Sequence, residues 1–176
     1  YKNNLILNAG NSGTLGRLIL GLLVHSKKKI KLIGDKSLSK RDFSRVTEPL
    51  KKFGATFYPN KNTRLPLSVI GSEFTKPINY VEDRGSAQCK SSIMLAALNT
   101  PGITSIKAKK SRNHTELLFK YLKVPIKIKK GTKYDFIKIE GGKEIKSFNY
   151  TIPADISSSA FFIVLTALSN NSKLLI

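Results

Sequence analysis

Cysteine is nearly missing from this 176-residue chain, where Cys89 stands alone. A single thiol excludes a disulfide framework and any metal site built on several cysteines, and it agrees with a reducing, cytoplasmic setting. Histidine is scarce too, and His25 and His114 make no metal pair. Acidic residues number 11 against 31 Lys and Arg, a formal net charge of +20, and no convincing general acid–base pair stands among them. Long apolar runs are also lacking. The longest, around residues 18–24 and 160–168, are far too short to span a bilayer. No signal-peptide pattern opens the chain.

What is present describes a folded basic protein. The chain is long enough for one or two domains with a core, and 40% hydrophobic residues is too apolar for a disordered polybasic tail. A charge of this size invites a polyanion partner. The lysines, however, are scattered, and many alternate with isoleucine (KKKIKLI, IKIKK) as the wet face of strands. Small anionic substrates use such a field at least as well as nucleic acid, so neither nucleic acid nor membrane is expected as a partner. The chain opens in a strand-like run, NNLIL, and stops at KLLI, which reads as mid-strand. Neither end reads as a natural terminus, and a fragment is expected.

One short stretch carries the first chemical signal. In NAGNSGTLGRLILGLL (8–23) a small, polar, glycine-bearing turn gives way to an apolar helix. The first amides of a helix lack internal acceptors, and the helix dipole makes that end partly positive. Glycine lets a phosphate or carboxylate approach them closely. A tight, capped strand-to-helix turn accounts for the same residues. The stretch matches neither GxGxxG nor GxxxxGK[ST].

The motif returns as GSAQCKSSIMLAAL (85–98) and PADISSSAFFIVLTAL (153–168), with a period of roughly 70 residues suited to a supersecondary unit. The first copy is followed by a strand (28–34), a basic turn (35–42), a second helix (43–53) and another strand (55–59). Phe43, Val46, Leu50 and Phe53 fall on one helical face. Pro49 either kinks that helix or makes Glu48 its start. The second copy leads to a strand (103–109), a basic turn (110–116), a helix (117–122) and a strand (125–130), with Asn113 and Glu116 spaced as a capping box. Hairpin strands LPLSVIG, YDFIKIEG and FNYTIP close the units. The unit reads β-α-β-α-β-β, twice complete and once begun: an α/β domain with parallel pairing, whose helix starts and basic turns open on one rim.

Five stretches in order carry a family resemblance: NAGNSGTLGRL, GDKSLSKRDFSRVTEPLKKFGA, GSAQCKSSIMLAAL, SRNHTELL and PADISSSAFF. Over essentially its whole length the chain resembles an internal piece of the EPSP synthases, enolpyruvyl transferases of the shikimate pathway. The sister enolpyruvyl transferases acting on UDP-N-acetylglucosamine share fold and chemistry. SAQ-K-S and SR-HTE are the shikimate-type loops, no reactive-cysteine loop is present, and Cys89 reads as a small core filler. A catalytically idle phosphate-binding module and a basic nucleic-acid-binding module are the remaining alternatives.

The resemblance implies a two-lobed fold, each lobe three β-α-β-α-β-β units with the helices inside, an inside-out α/β barrel. Residues 1–153 would form most of one substrate-binding lobe. Residues 154–176 would hold the hinge, around residues 153–155, and the start of the second lobe. It implies transfer of the enolpyruvyl group of phosphoenolpyruvate to the 5-hydroxyl of shikimate 3-phosphate, through a tetrahedral adduct, without metal or cofactor, by a monomer when full length. It places Gly13, Arg41 and Gln88 at phosphoenolpyruvate, with Asn11, Ser12 and Thr14 shaping the turn. At shikimate 3-phosphate it places Ser86, Ala87, Gln88, Ser111 and Arg112, with Lys90 beside them. Ala87 can act only through its backbone, where many relatives carry serine. Arg17 is read as structural, His114 as steadying its loop, and Asp155 as either a hinge carboxylate or a helix cap. Glycine at position 13 leaves room for glyphosate, which competes with phosphoenolpyruvate in this family. The family's Lys-Ser-Arg loop and its proton-transferring carboxylates have no counterpart in these residues, so the piece alone is expected to be inactive.

Overall fold

The computed structural model describes residues 5–60, 63–152 and 154–176. Asn3 and Asn4 of the NNLIL run and Pro153 of the expected hinge lie outside them. The described residues fall into two compact units, 1–145 and 146–176.

The larger unit repeats one pattern. β1 (Leu5–Asn8), α1 (Gly13–Leu23), β2 (Ile30–Ile33), α2 (Ser44–Lys51), β3 (Thr56–Asn60) and β4 (Arg64–Ile70) form the first copy. β5 (Asn79–Glu82), α3 (Ala87–Leu98), β6 (Gly102–Lys109), α4 (His114–Tyr121), β7 (Ile126–Lys130) and β8 (Tyr134–Gly141) form the second. The sheets run β1-β2-β4-β3 and β5-β6-β8-β7. Among the described residues parallel pairing is confined to β1–β2 and β5–β6; the other neighbours are antiparallel. The helical connection from β1 to β2, and from β5 to β6, is long enough to return the chain for a parallel strand. β3–β4 and β7–β8 are separated by only three residues and can only pair antiparallel; β4 and β8 then lie antiparallel on β2 and β6.

Alternation selects the buried face of each sheet. Leu65, Leu67 and Val69 of β4 point inward, as do Thr104, Ile106 and Ala108 of β6 and Ile137 and Ile139 of β8. The stripe Phe43, Val46, Leu50 and Phe53 is fully buried. α2 runs through Pro49, which is itself buried, so the proline neither starts nor ends the helix. Packing of this apolar face outweighs one lost backbone bond. Cys89 is a buried core side chain.

Two expected features differ. The capping box at Asn113 does not form: Asn113 makes no side-chain cap bond, α4 starts at His114, and Glu116 turns inward to Lys90. A buried ammonium holds a carboxylate more strongly than a solvated amide does. Residues 148–152 and the KLLI end are in no strand, because neither has a pairing partner among the described residues.

α1 and α3 pack backbone to backbone. A Cβ on Gly21 would lie 2.2 Å from the Ser92 carbonyl oxygen, and the Ser92 hydroxyl donates to the Arg17 carbonyl at 2.9 Å. α3 is buried on nearly every side, which explains why it shows no single apolar stripe.

The smaller unit carries α5 (Ile156–Leu168). Asp155 caps it, accepting from the Ser157 amide at 2.9 Å and the Ser158 hydroxyl at 2.8 Å. Its large apolar side chains, Phe161 and Leu168 among them, are exposed. No helix of the described residues is long and apolar enough to cross a membrane.

Candidate functional site

Because β1 and β2 are parallel, the turns after them emerge side by side. The Asp35 amide bonds the Gly10 carbonyl at 2.8 Å and joins the two turns directly. Gly10 has a φ of +55°, the left-handed region that favours glycine. Ser12 is the N-cap of α1, its hydroxyl accepting from the Leu15 amide at 3.1 Å. Capping and anion binding are compatible here, since the cap leaves neighbouring amides of the first turn open.

The turn after β2 presents Arg41. Asp35 accepts from the Leu38 amide at 2.7 Å, and Arg41 donates its own amide to the Leu38 carbonyl at 3.0 Å. On the other side Asp42 accepts from the Ser44 amide at 2.8 Å and from the Ser44 and Thr63 hydroxyls. Burial alone would raise the Asp42 carboxyl, but these hydrogen bonds and nearby Arg45 bring it down to about 2. Arg41 is thus an exposed side chain on a backbone pinned at both ends.

Gly13 is the point of convergence. A Cβ there would stand 3.0 Å from Arg17 Nη1 and 3.1 Å from Arg41 Nη1. Two guanidiniums therefore meet over the first turn of α1. Partial burial lowers the Arg17 pKa, and Arg41 and Arg45 push it the same way; a guanidinium keeps its charge regardless. Arg17 also lies over the Phe43 ring, 5.4 Å from its centroid.

Gln88 joins the two repeats. Its Oε1 accepts from Arg17 Nη1 at 2.8 Å, and its Nε2 donates to the Thr14 hydroxyl at 2.8 Å. Ser86 caps α3, accepting from the Cys89 amide at 3.2 Å. The buried Glu82 carboxylate fixes the preceding turn through the Arg84 and Ser86 amides, at 3.1 and 3.0 Å. After β6, the parallel partner of β5, the chain presents Ser111 and Arg112. The Ser111 hydroxyl is buried and has no hydrogen-bond partner among the described residues. An open cavity of about 160 Å³ lies among Thr14, Leu18, Ala87, Gln88, Arg112 and His114.

The site residues read from the sequence thus separate into groups. Gly13 and Arg41 meet. Ala87, Gln88 and Arg112 share the walls of one cavity, and Gln88 ties it to Arg17 above Gly13. Ser86 and Ser111 are not among those walls. Lys90 is 2% exposed and bonded inside the protein to Glu116 and the Arg112 carbonyl, so it does not face a ligand. Arg17, read as structural, has its guanidinium in the site. The signal for it lies in the spacing: Arg17 is four residues after Gly13, one turn along the same helix face. His25 bonds the Ala96 carbonyl at 3.0 Å. Among the described residues no group of three His, Cys, Asp or Glu could hold a metal ion.

Three comparisons bear on these residues. The family described as EPSP synthase (3-phosphoshikimate 1-carboxyvinyltransferase) matches residues 1–176. A protein named 3-phosphoshikimate 1-carboxyvinyltransferase from Caldicellulosiruptor bescii is 42% identical over 97% of this chain and 40% of its own. One of the same name from Parvibaculum lavamentivorans is 38% identical over 96% of this chain and 38% of its own. Among solved structures, EPSP synthase from Acinetobacter baumannii superposes with a TM-score of 0.79 at 35% identity, covering 96% of this chain and 37% of that one. The chain spans about two-fifths of the length of the curated relatives it matches.

Proposed function

The chain belongs to the EPSP synthase (3-phosphoshikimate 1-carboxyvinyltransferase) family, and on that premise we propose that the protein transfers the enolpyruvyl group of phosphoenolpyruvate to the 5-hydroxyl of shikimate 3-phosphate. The acceptor 5-hydroxyl gives up its proton as its oxygen attacks C2 of phosphoenolpyruvate and C3 takes up a proton, giving a tetrahedral adduct. Loss of phosphate from C2 and of a proton from C3 restores the double bond in the product. These residues supply binding and orientation of the anions. Proton transfer belongs to groups outside them.

The observation that carries the reading is the pair of guanidiniums over Gly13, joined through Gln88 to the cavity of the second repeat. Both substrates carry a phosphate and a carboxylate, so four anionic groups must be held close together. Arg41 and the α1 amides beside Gly13 take phosphoenolpyruvate, Arg41 through two parallel charge-assisted bonds. Ala87 through its backbone, Gln88, Ser111 and Arg112 take shikimate 3-phosphate, with Ser86 contributing at the α3 start. The unpartnered Ser111 hydroxyl supports a ligand there, since a buried hydroxyl without a partner is costly. Arg17 holds Gln88 in place between the two.

Residues 1–153 belong in this reading to one lobe, and residues 154–176 to the hinge and the start of the second. A monomeric, cytoplasmic enzyme fits the same assignment. The test is phosphate release by the full-length protein from phosphoenolpyruvate, with shikimate 3-phosphate or UDP-N-acetylglucosamine as acceptor. Release with shikimate 3-phosphate alone is expected. Release with the nucleotide sugar, or with neither, overturns the assignment.

A further inference from the structure

Lys90 and Glu116 form an ion pair shut off from water. Nζ and Oε1 are 2.6 Å apart, and the side chains are 2% and 5% exposed. Such a pair adds little net stability, because desolvation of both charges offsets their attraction; apolar residues of similar volume often serve a fold as well. What the pair holds is more informative. The same Nζ donates to the carbonyl of Arg112 at 2.9 Å. Lys90 lies in the first turn of α3, directly behind Ala87 and Gln88, and Glu116 in the first turn of α4. One residue further along α3, the Ser91 hydroxyl meets the Thr115 hydroxyl at 2.7 Å. Two successive α3 residues thus grip the start of α4 and the loop before it. Elsewhere that loop is lightly held: the Lys110 amide reaches the Lys133 carbonyl at 3.3 Å, Arg112 is exposed, and the Ser111 hydroxyl has no partner.

We propose that the Lys90–Glu116 pair is a positioning device for Ser111 and Arg112. It sets the loop's distance from the α3 N-terminus, so that one phosphorylated substrate is gripped from both sides. Neither residue touches that substrate. Glu116 fixes the ammonium, and the ammonium fixes the Arg112 carbonyl. The inference rests on the function proposed for this site.

The decisive variant in the full-length protein is Lys90→Met with Glu116→Leu. Removing one charge alone would strand the other in the interior and cost folding, whereas removing both keeps the core filled. The double variant is expected to melt close to the unsubstituted protein. Its KM for shikimate 3-phosphate is expected to rise about tenfold to a hundredfold, the usual cost of losing a group that orients a binding residue. Its KM for phosphoenolpyruvate and its kcat at saturating substrate are expected to stay nearly unchanged. A second variant, Glu116→Asp, keeps the charges but draws Nζ away from Arg112 by one methylene. It is expected to weaken shikimate 3-phosphate in the same selective way, to a smaller extent. A well-folded double variant with unchanged KM for shikimate 3-phosphate overturns the proposal. If the double variant does not fold, unchanged KM in Glu116→Asp overturns it instead. Equal losses for both substrates would also overturn it and mark the pair as structural. An unsubstituted protein that ignores shikimate 3-phosphate would overturn the assigned function, and this inference with it.

Discussion

Replacing Gly13 by alanine adds one methyl group where α1 begins, and the surroundings decide its effect. The new Cβ would stand 3.0 Å from Arg17 Nη1, 3.1 Å from Arg41 Nη1 and 3.7 Å from Leu38 Cδ1. The two nitrogens are tips of flexible side chains, so each guanidinium gives way by a few tenths of an ångström and the backbone stays put. Gly13 is not among the left-handed glycines, and alanine favours helix over glycine. Stability should therefore hold or rise by up to about 1 kcal/mol. The cost falls on binding. The methyl occupies the approach to the α1 amides and shifts both cations at once. One extra carbon in a fitted site is worth about 1–3 kcal/mol, or about 10–200-fold. Glyphosate, the bulkier ligand, is expected to take the upper part of that range, and phosphoenolpyruvate to fall at or below its lower end. The assay is the inhibition constant for glyphosate and the KM for phosphoenolpyruvate in both full-length proteins, with thermal melts as control. If neither constant moves while the protein stays folded, no anion sits over Gly13.

Arg41→Ala removes a charge-assisted, two-pronged contact and is expected to weaken phosphoenolpyruvate by about 2–4 kcal/mol, roughly thirty- to a thousand-fold, with shikimate 3-phosphate little changed; titration of each ligand checks it. Asp42 has a folded pKa lowered from 3.8 to about 2, so its hydrogen bonds contribute stability that is full above about pH 4 and lost as pH falls toward 2. Asp42→Ala should therefore lower stability at pH 7 by about 1 kcal/mol or less, because the carboxylate is exposed, and the difference in melting temperature from the unsubstituted protein should narrow in melts near pH 2. Gly21→Ala is the counterpart of Gly13→Ala. Its Cβ would meet backbone, the Ser92 carbonyl oxygen at 2.2 Å, and denaturant titration is expected to show a loss of at least about 1–3 kcal/mol.

What the sequence discloses and what it conceals divide along a physical line. The repeat, the helix starts and the stripe Phe43, Val46, Leu50 and Phe53 are legible because each is a local period. The Ser12, Ser86 and Asp155 caps are legible for the same reason, being bonds to amides two or three residues on. Arg17 reads as structural more than substrate-binding, and the partner that sets its place, Gln88, is hidden from local patterns because it lies 71 residues away in the other repeat. Glu116 reads wrongly as a capping residue because its spacing from Asn113 fits a cap, whereas the ammonium that captures it belongs to another helix. FNYTIP has the alternation of a strand, but alternation alone cannot supply the neighbour that pairing requires.

The contact of Gly21 with Ser92 has a reach beyond its own neighbourhood. From Gly21 to Gly13 is about 12 Å of helix, and from Ser92 to Ser86 about 9 Å, at 1.5 Å per residue. α1 and α3 meet backbone to backbone there and side chain to side chain at their starts, where Gln88 bonds Thr14 and Arg17. The span between Gly13 and Ser86 is therefore set partly by a contact more than a helical turn away from either of them. A lineage that altered that contact is expected to change the fit of the proposed ligands while every residue at the helix starts stayed the same.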